Sequence, residues 1–565
     1  MKTKHSIIIS CLIGLILFSC KDLDEMNINP NGIMPDVADA SLVISTVITK
    51  TGTSMLNLGF GDIAGVVQHT QKDGWSGGHN SYSWTPNDWN NYYDNLRQSK
   101  ELLRKSELLR EAGISGNEFY EGVAKLFLAY NFGTITDLWG DAPFSEALQG
   151  KDGIKKPKFD SQRDIYMAIL EWLDEANTLL SKPQNEYYFL VSNLSVQDVL
   201  YGGNVAKWRK FANSLTLRYY LRISEKEPEI ARAGIEKILG DPDFYPLILD
   251  AADDAAFAYP GNDRDASWPT TREFSSNDTD DWMRLKMCST LVEKLRALND
   301  PRIAVWASKV KTPLEFDPSN PDRDQIAGGV RYIGVNVEQK FIEMSKDELY
   351  NPTGEPLCYN KDYVGLPPSW HSGAYLYNLN PKVNPGSENV HVSNTSSLYA
   401  KSADPLLKAR MLSAAEMHFS LAEIALKGWG GNAKDHYEAG VRASFNTWGV
   451  SSGYSAYIAQ TGVAFDGTLA QIMEQKWIAS WTAATEAWFD YRRIGLPDFP
   501  PIKFYAKRKA FPLRFYYGNN ELNYNTVNVY DAIERGLEVT NNTTSEGTNC
   551  AWSKMWLLQG TGKPW

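Results

Sequence analysis

The chain has 565 residues, 43% of them apolar and 22% charged, with a formal net charge of −11. That balance excludes wholesale disorder, and the acidic surplus disfavours a nucleic-acid partner because a negative surface repels phosphate. The 18 Trp, 29 Tyr and 22 Phe must either fill a large core or form ligand platforms. The five cysteines stand far apart, with no CxxC or Cys/His ligand spacing. Neither a disulfide framework nor a zinc centre is expected, and no cofactor is called for.

In chain order, Lys2 and Lys4 precede an apolar run from Ile7 to Phe18. The run is too short for a bilayer span, which takes about 20 residues, so residues 1–19 read as a signal peptide. Leu17-Phe18-Ser19-Cys20 resembles a bacterial lipobox, which makes Cys20 the expected lipid anchor and the membrane contact one of acyl chains only. Lys21 followed by Asp22, Asp24 and Glu25 resembles the surface-export signal of Bacteroidetes lipoproteins, and implies an outer-membrane protein facing the exterior. Residues 20–40 are polar and read as a tether. Asn27 to Gly32 looks like the start of an EF-hand loop, but loop position twelve falls on Ala38, so no calcium site is expected there.

Residues 41–565 are expected to form one domain. Helical periodicity runs through 162–180, 205–223, 285–298, 405–427 and 469–491, with apolar residues three and four apart. Trp89, Tyr92, Tyr93 and Leu96 fall at the same spacing and are expected in the core, as is a hydrogen-bonded His418. Repeat-like helices are placed mainly in 90–240 and 405–495. Within 413–448, a helix, a Gly-Trp-Gly-Gly turn and a second helix have the length of one tetratricopeptide unit. Residues 240–283, 306–404 and 498–550 are rich in Gly, Pro, Asn, Asp and Ser and read as loop regions, with a strand-like run at Val330–Ile333 and an Asn-rich run at 519–527.

Four blocks then carry a resemblance. Asp137 to Leu148 reads DLWGDAPFSEAL, Lys207 to Leu215 reads KWRKFANSL and is followed by Leu217-Arg218, Asp300-Pro301-Arg302 makes a DPR turn, and Glu486 to Arg493 reads EAWFDYRR. Their order and spacing, together with the lipobox, resemble the SusD/RagB family of outer-membrane nutrient-binding lipoproteins, in its SusD-like branch. The resemblance implies a mostly α fold, with tetratricopeptide-like helix pairs and a large irregular, loop-rich ligand side. It also implies a protein that is not an enzyme. Such a protein captures oligosaccharides and passes them to a SusC-type TonB-dependent outer-membrane barrel. A RagB-like protein would capture peptides instead, and a docking scaffold would need no small ligand. Trp208, Asn213, Arg218, Trp488, Asp490 and Arg492 in these blocks are expected to be structural, with Asp490 paired to Arg492.

Sugar capture stacks apolar ring faces on aromatics, so the site is expected where aromatics fall in loops rather than in helical stripes. Trp75, Tyr82 and Trp84 lie in a Gly- and Ser-rich stretch, Trp268 and Trp282 in a second loop region, and Trp370 in a third. These six are the candidate ligand contacts. No GxSxG, HExxH, GxGxxG or GxxxxGK[ST] pattern occurs, and no local signature selects a carboxylate pair for glycoside hydrolysis.

Overall fold

Polar side chains set the helix starts. Ser161 accepts from the Asp164 N–H, Asn204 from Lys207, Ser413 from Glu416, and Thr468 from Gln471. Each satisfies one of the backbone donors left free at a helix N-terminus, and at Ser161, Ser413 and Thr468 an acidic or amide residue three positions on (Asp164, Glu416, Gln471) completes the start signal. In the computed structural model, the residues described are 39–73, 77–187, 194–274, 281–344, 357–369, 374–380, 388–500, 502, 509–543, 547–563 and 565. Cys20 and the tether to residue 38 lie outside them.

The fold is mostly α. The principal helices are α1 (Ala40–Gly59), α2 (Asn90–Glu111), α3 (Glu118–Trp139), α4 (Gln162–Leu179), α5 (Val205–Ile223), α6 (Pro228–Gly240), α7 (Ser289–Ala297), α8 (Ala414–Leu426), α9 (Ala433–Thr447), α10 (Leu469–Ala479), α11 (Thr485–Ile494) and α12 (Thr526–Gly536). Successive helices from α2 to α6 pack side by side, as do α8 with α9 and α10, which is the stacking of helix pairs expected of tetratricopeptide-like units. Trp89 and Leu96 are buried, and Tyr92 and Tyr93 pack on the same core. His418 donates from Nε2 to the Leu249 carbonyl at 3.0 Å, so its Nδ1 accepts from His436 Nδ1 at 3.2 Å.

Strands are short. β1 (Thr70–Lys72) pairs with β5 (Leu285–Met287), β2 (Ala142–Pro143) with β3 (Phe159–Asp160), and β4 (Ala255–Ala258) with β9 (Lys408–Leu412). β6 (Leu314–Phe316), β7 (Asp324–Ala327) and β8 (Val330–Ile333) form a sheet in the order β6-β8-β7, and β10 (Leu537–Glu538) pairs with β11 (Lys554–Met555).

Three helical expectations change. The periodic stretch 285–298 opens as β5, and 405–427 holds β9 before α8. Both strands find partners remote in sequence, which local periodicity does not register. The stretch 469–491 is two helices, broken after Ala479 where Thr482 takes φ +67°.

The family blocks are structural and carry buried charge. Arg218 grips Glu416 at 2.7 Å, and Arg493 holds Glu423 through two bonds of 2.6 and 2.7 Å. Arg302 pairs with Asp300 at 2.5 Å within the DPR turn, its guanidinium 4.9 Å from the Phe445 ring centroid. Trp208 donates to Asp198 and Trp488 to the Pro512 carbonyl. Asp490 pairs with Lys476 at 2.7 Å and with Arg493 at 2.9 Å, not with Arg492. Residues three apart share a helix face and residues two apart do not. Arg492 instead donates to the Asp137 and Leu513 carbonyls.

Candidate functional site

Four stretches remote in sequence run side by side. In the β1–β5 pair Thr70 lies opposite Met287 and Lys72 opposite Leu285. The pairing continues at both ends, Asp73 N–H donating to the Arg284 carbonyl and Cys288 N–H to that of His69, both at 3.0 Å. Leu366 N–H donates to the Met287 carbonyl at 2.9 Å, and Ser289 N–H returns a bond to Leu366 at 2.7 Å. Met287 N–H reaches the Ser393 carbonyl at 2.9 Å, and Ser393 N–H that of Val364 at 2.8 Å. The loop stretches singled out by their aromatics are thereby stitched into one platform. Gly365 makes the approach possible, since a Cβ there would stand 2.4 Å from the Ser289 nitrogen.

Polar groups fasten the platform from below. Lys286 is fully buried. Its Nζ donates to Asn394 Oδ1 at 2.7 Å and lies 3.6 Å from the Asp73 carboxylate. Asn80 brackets Lys72 by accepting from its N–H at 2.8 Å and donating to its carbonyl at 2.6 Å. His79 Nε2 meets Thr70 Oγ1 at 3.0 Å, and burial, reinforced by the Lys72 charge, holds this imidazole well below its ordinary pKa. His69 donates from Nε2 to the Trp477 carbonyl at 3.0 Å, and burial pushes its pKa down to about 3 against the opposing pull of that carbonyl.

The six candidate aromatics separate into three groups. Tyr82, Trp84 and Trp268 are buried, at 0, 4 and 0% exposure. The Trp84 ring stands edge-on to Phe515 at 4.9 Å and to Trp488 at 5.6 Å, and the Tyr82 ring lies 6.0 Å from that of Phe511. Trp268 packs 5.5 Å from Phe60 and 5.9 Å from Tyr399. These rings present no open stacking face. They pin their loops to the helical body, because large apolar area is best removed from water against other rings. Trp75 and Trp370 lie outside the described residues, Trp75 two positions beyond Asp73 and Trp370 next to Ser369.

Trp282 is partly exposed. Its Nε1 donates to the Ser396 carbonyl at 3.1 Å, and the Arg272 guanidinium lies 5.5 Å from the ring centroid. The ring borders a cleft of about 200 Å³ whose polar lining includes Arg272, Ser308, Asn389 and Asn394. Lys309 and Lys311, also at the cleft, are paired with Asp362 and Glu388. Asn389 and Asn394 escaped the sequence reading, as two amides in a polar stretch of about a hundred residues. The pairing of 393–395 with the platform singles out Asn394, and Asn389 comes in only as part of the cleft lining. Among the described residues no group of three His, Cys, Asp or Glu could hold a metal ion, and no helix is long and apolar enough to cross a membrane.

Comparison with known proteins agrees with this architecture. None of the curated proteins matches the sequence. A SusD homolog of Bacteroides fragilis superposes with a TM-score of 0.67 at 19% identity, covering 92% of this chain and 100% of its own. A chitin-binding protein gives 0.68 at 22%, covering 93 and 99%. A chitin-binding SusD homolog from Flavobacterium johnsoniae gives 0.66 at 20%, covering 92 and 99%. At such identities the likeness speaks to the fold. The family profile described as "Starch-binding associating with outer membrane" matches residues 36–353 and 373–518, most of the chain, and the protein belongs to this SusD-like family.

Proposed function

We propose that this protein captures neutral or N-acetylated oligosaccharides in the cleft beside Trp282 and passes them to a SusC-type TonB-dependent barrel, acting as a binding protein and not as an enzyme. The observation that carries the reading is the meeting of residues 70–73, 284–289, 364–366 and 393–395 in one platform edged by a partly open tryptophan. Oligosaccharide capture needs a ring face flanked by amide and hydroxyl groups, and Trp282 with Ser308, Asn389 and Asn394 supplies that set. Neutral sugars are favoured over acidic ones because Lys309 and Lys311 already face carboxylates and Arg272 stacks on the ring. Trp75 and Trp370 join the reading as the aromatics that follow the platform segments in sequence. Tyr82, Trp84 and Trp268 enter it as anchors of the loops.

The family's description as starch-binding and the two chitin-binding relatives support a glycan ligand. The acyl anchor at Cys20 and the exterior location rest on the lipobox and the export signal, and the barrel partner on the family's association with the outer membrane. The test is isothermal titration, guided by a glycan array, of the chain from Lys21 against its Trp282→Ala and Trp75→Ala variants. One glycan class should bind, and Trp282→Ala should weaken it by at least about tenfold, equivalent to about 1.4 kcal/mol. An unchanged affinity in Trp282→Ala would remove the cleft from the ligand path. Co-purification of a TonB-dependent barrel with the tagged lipoprotein from outer membranes tests the partner.

A further inference from the structure

A crevice between β9 and the helices α8 to α11 is lined by charged side chains of which one lacks a counter-charge. It shares no residue with the cleft beside Trp282. Its volume of about 40 Å³ gives room for a few water molecules or one small ion, and too little for a sugar ring. Arg410, Thr447 and Trp448 stand on its lining together with Glu416, Lys476 and Glu486. The last three are already paired. Arg218 closes on Glu416 with Nε to Oε1 and Nη2 to Oε2, both at 2.7 Å. Arg222 donates to Glu486, and Lys476 stands 2.7 Å from Asp490. A metal ion would find no carboxylate here without a cation of its own.

Arg410 differs from these groups. Among the described residues it has no ion pair, and it gives two hydrogen bonds, Nη1 to the Lys408 carbonyl at 3.4 Å and Nη2 to the Leu406 carbonyl at 3.0 Å. A guanidinium has five N–H donors, so three stay idle. The side chain is half-buried, within reach of a small solute, and its guanidinium lies 4.7 Å from the Trp448 ring centroid. Asp254 acts on it only from beyond ion-pair distance. That carboxylate accepts from the Ala414 N–H at 2.8 Å, and burial pushes its pKa up to about 7, so near neutral pH it carries only part of a charge. Burial lowers the Arg410 pKa against the pull of Asp254. A desolvated cation with idle donors asks for an acceptor of opposite charge. Thr447 adds a hydroxyl that makes no hydrogen bond among the described residues.

We infer that this crevice binds a small monovalent anion, a halide or formate, against the Arg410 guanidinium and the Thr447 hydroxyl. The ion supplies the missing counter-charge and ties β9 to α9, so it binds the folded chain and stabilises it by mass action. The inference goes beyond the glycan reading and does not rest on it.

The experiment melts the chain from Lys21 in sodium chloride, bromide, formate and gluconate at equal ionic strength, and locates bromide by anomalous diffraction from soaked crystals. Gluconate is too large for the crevice and controls for screening. The melting temperature should rise with the small anions by at least about 1 °C over gluconate, and a bromide peak should stand beside Arg410. The larger rise, with halide or with formate, names the occupant. Arg410→Met, which keeps the stem over Trp448 and removes the charge, should abolish the difference between salts, and Arg410→Lys should keep part of it. Thr447→Val should weaken the apparent affinity by about threefold, and it decides the matter with the wild-type bromide peak if Arg410→Met does not fold. An equal rise in gluconate means screening alone and overturns the inference. A small-anion rise that persists in Arg410→Met places the ion elsewhere and also overturns it. A bromide peak with no effect in solution marks an adventitious ion only, with the same consequence.

Discussion

Lys286 and Asp73 face each other at 3.6 Å, at 0 and 1% side-chain exposure, under the platform that carries Trp282. A lysine this deep is tolerated only with an opposite charge and hydrogen-bond acceptors beside it, here Asp73 and Asn394. Asp73→Asn leaves the ammonium uncompensated. It should lower the unfolding free energy by about 3–5 kcal/mol, read from urea denaturation. The double variant Asp73→Asn/Lys286→Met should recover part of the loss. A single variant as stable as wild type would mean that the pair holds nothing.

Gly365 offers a steric test of the platform. A methyl group 2.4 Å from the Ser289 nitrogen meets backbone, which cannot swing aside as a side chain can. Gly365→Ala should cost about 1–3 kcal/mol by overpacking and should weaken glycan binding, while the far-ultraviolet circular dichroism of the helical body stays as it is. Full affinity in this variant would detach the platform from the ligand site.

Trp268 and Trp282 should part ways on mutation. Trp268 is enclosed by Phe60, Tyr259 and Tyr399, so Trp268→Ala should destabilise by about 3–5 kcal/mol. Trp282 is partly solvated, so Trp282→Ala should spare most of the stability and take the affinity. Thermal melts and titrations on the two variants decide the matter, and equal loss of stability in both would contradict the division into anchors and contacts.

His69 predicts a pH dependence. Burial holds its folded pKa at about 3, below the unfolded value of about 6.5. Below that unfolded value the unfolded chain takes up a proton that the folded chain refuses. The stability is therefore complete above about pH 6.5 and is lost as pH falls, with a slope of up to about 1.4 kcal/mol per pH unit for this one group. His79, depressed by burial and then by Lys72, adds in the same direction. His69→Gln should flatten the fall between pH 6.5 and 4.5, as followed by denaturant midpoints across that range. An unaltered slope would show that His69 titrates normally in the folded protein.

Local features were legible in the order of the residues. Helices α4, α5, α8 and α9 are legible because their apolar spacing and their Ser or Asn caps act within a few residues of chain. The buried Trp and Arg of the family blocks were readable as structure on the same grounds. Tertiary structure alone decided the partners. Asp490 took Lys476 and Arg493 because helix geometry and the packing of α10 on α11 brought them near. β5 and β9 left helical patterns because strands remote in sequence, β1 and β4, were there to pair with them. The sharpest case is the loop aromatics. A tryptophan in a Gly- and Ser-rich stretch has the same sequence whether its ring turns inward or outward. Phe515 and Trp488 drew Trp84 inward, and Phe60 and Tyr399 drew Trp268. Trp282 kept an open side, because burial is a property of the assembled surroundings and not of the residue.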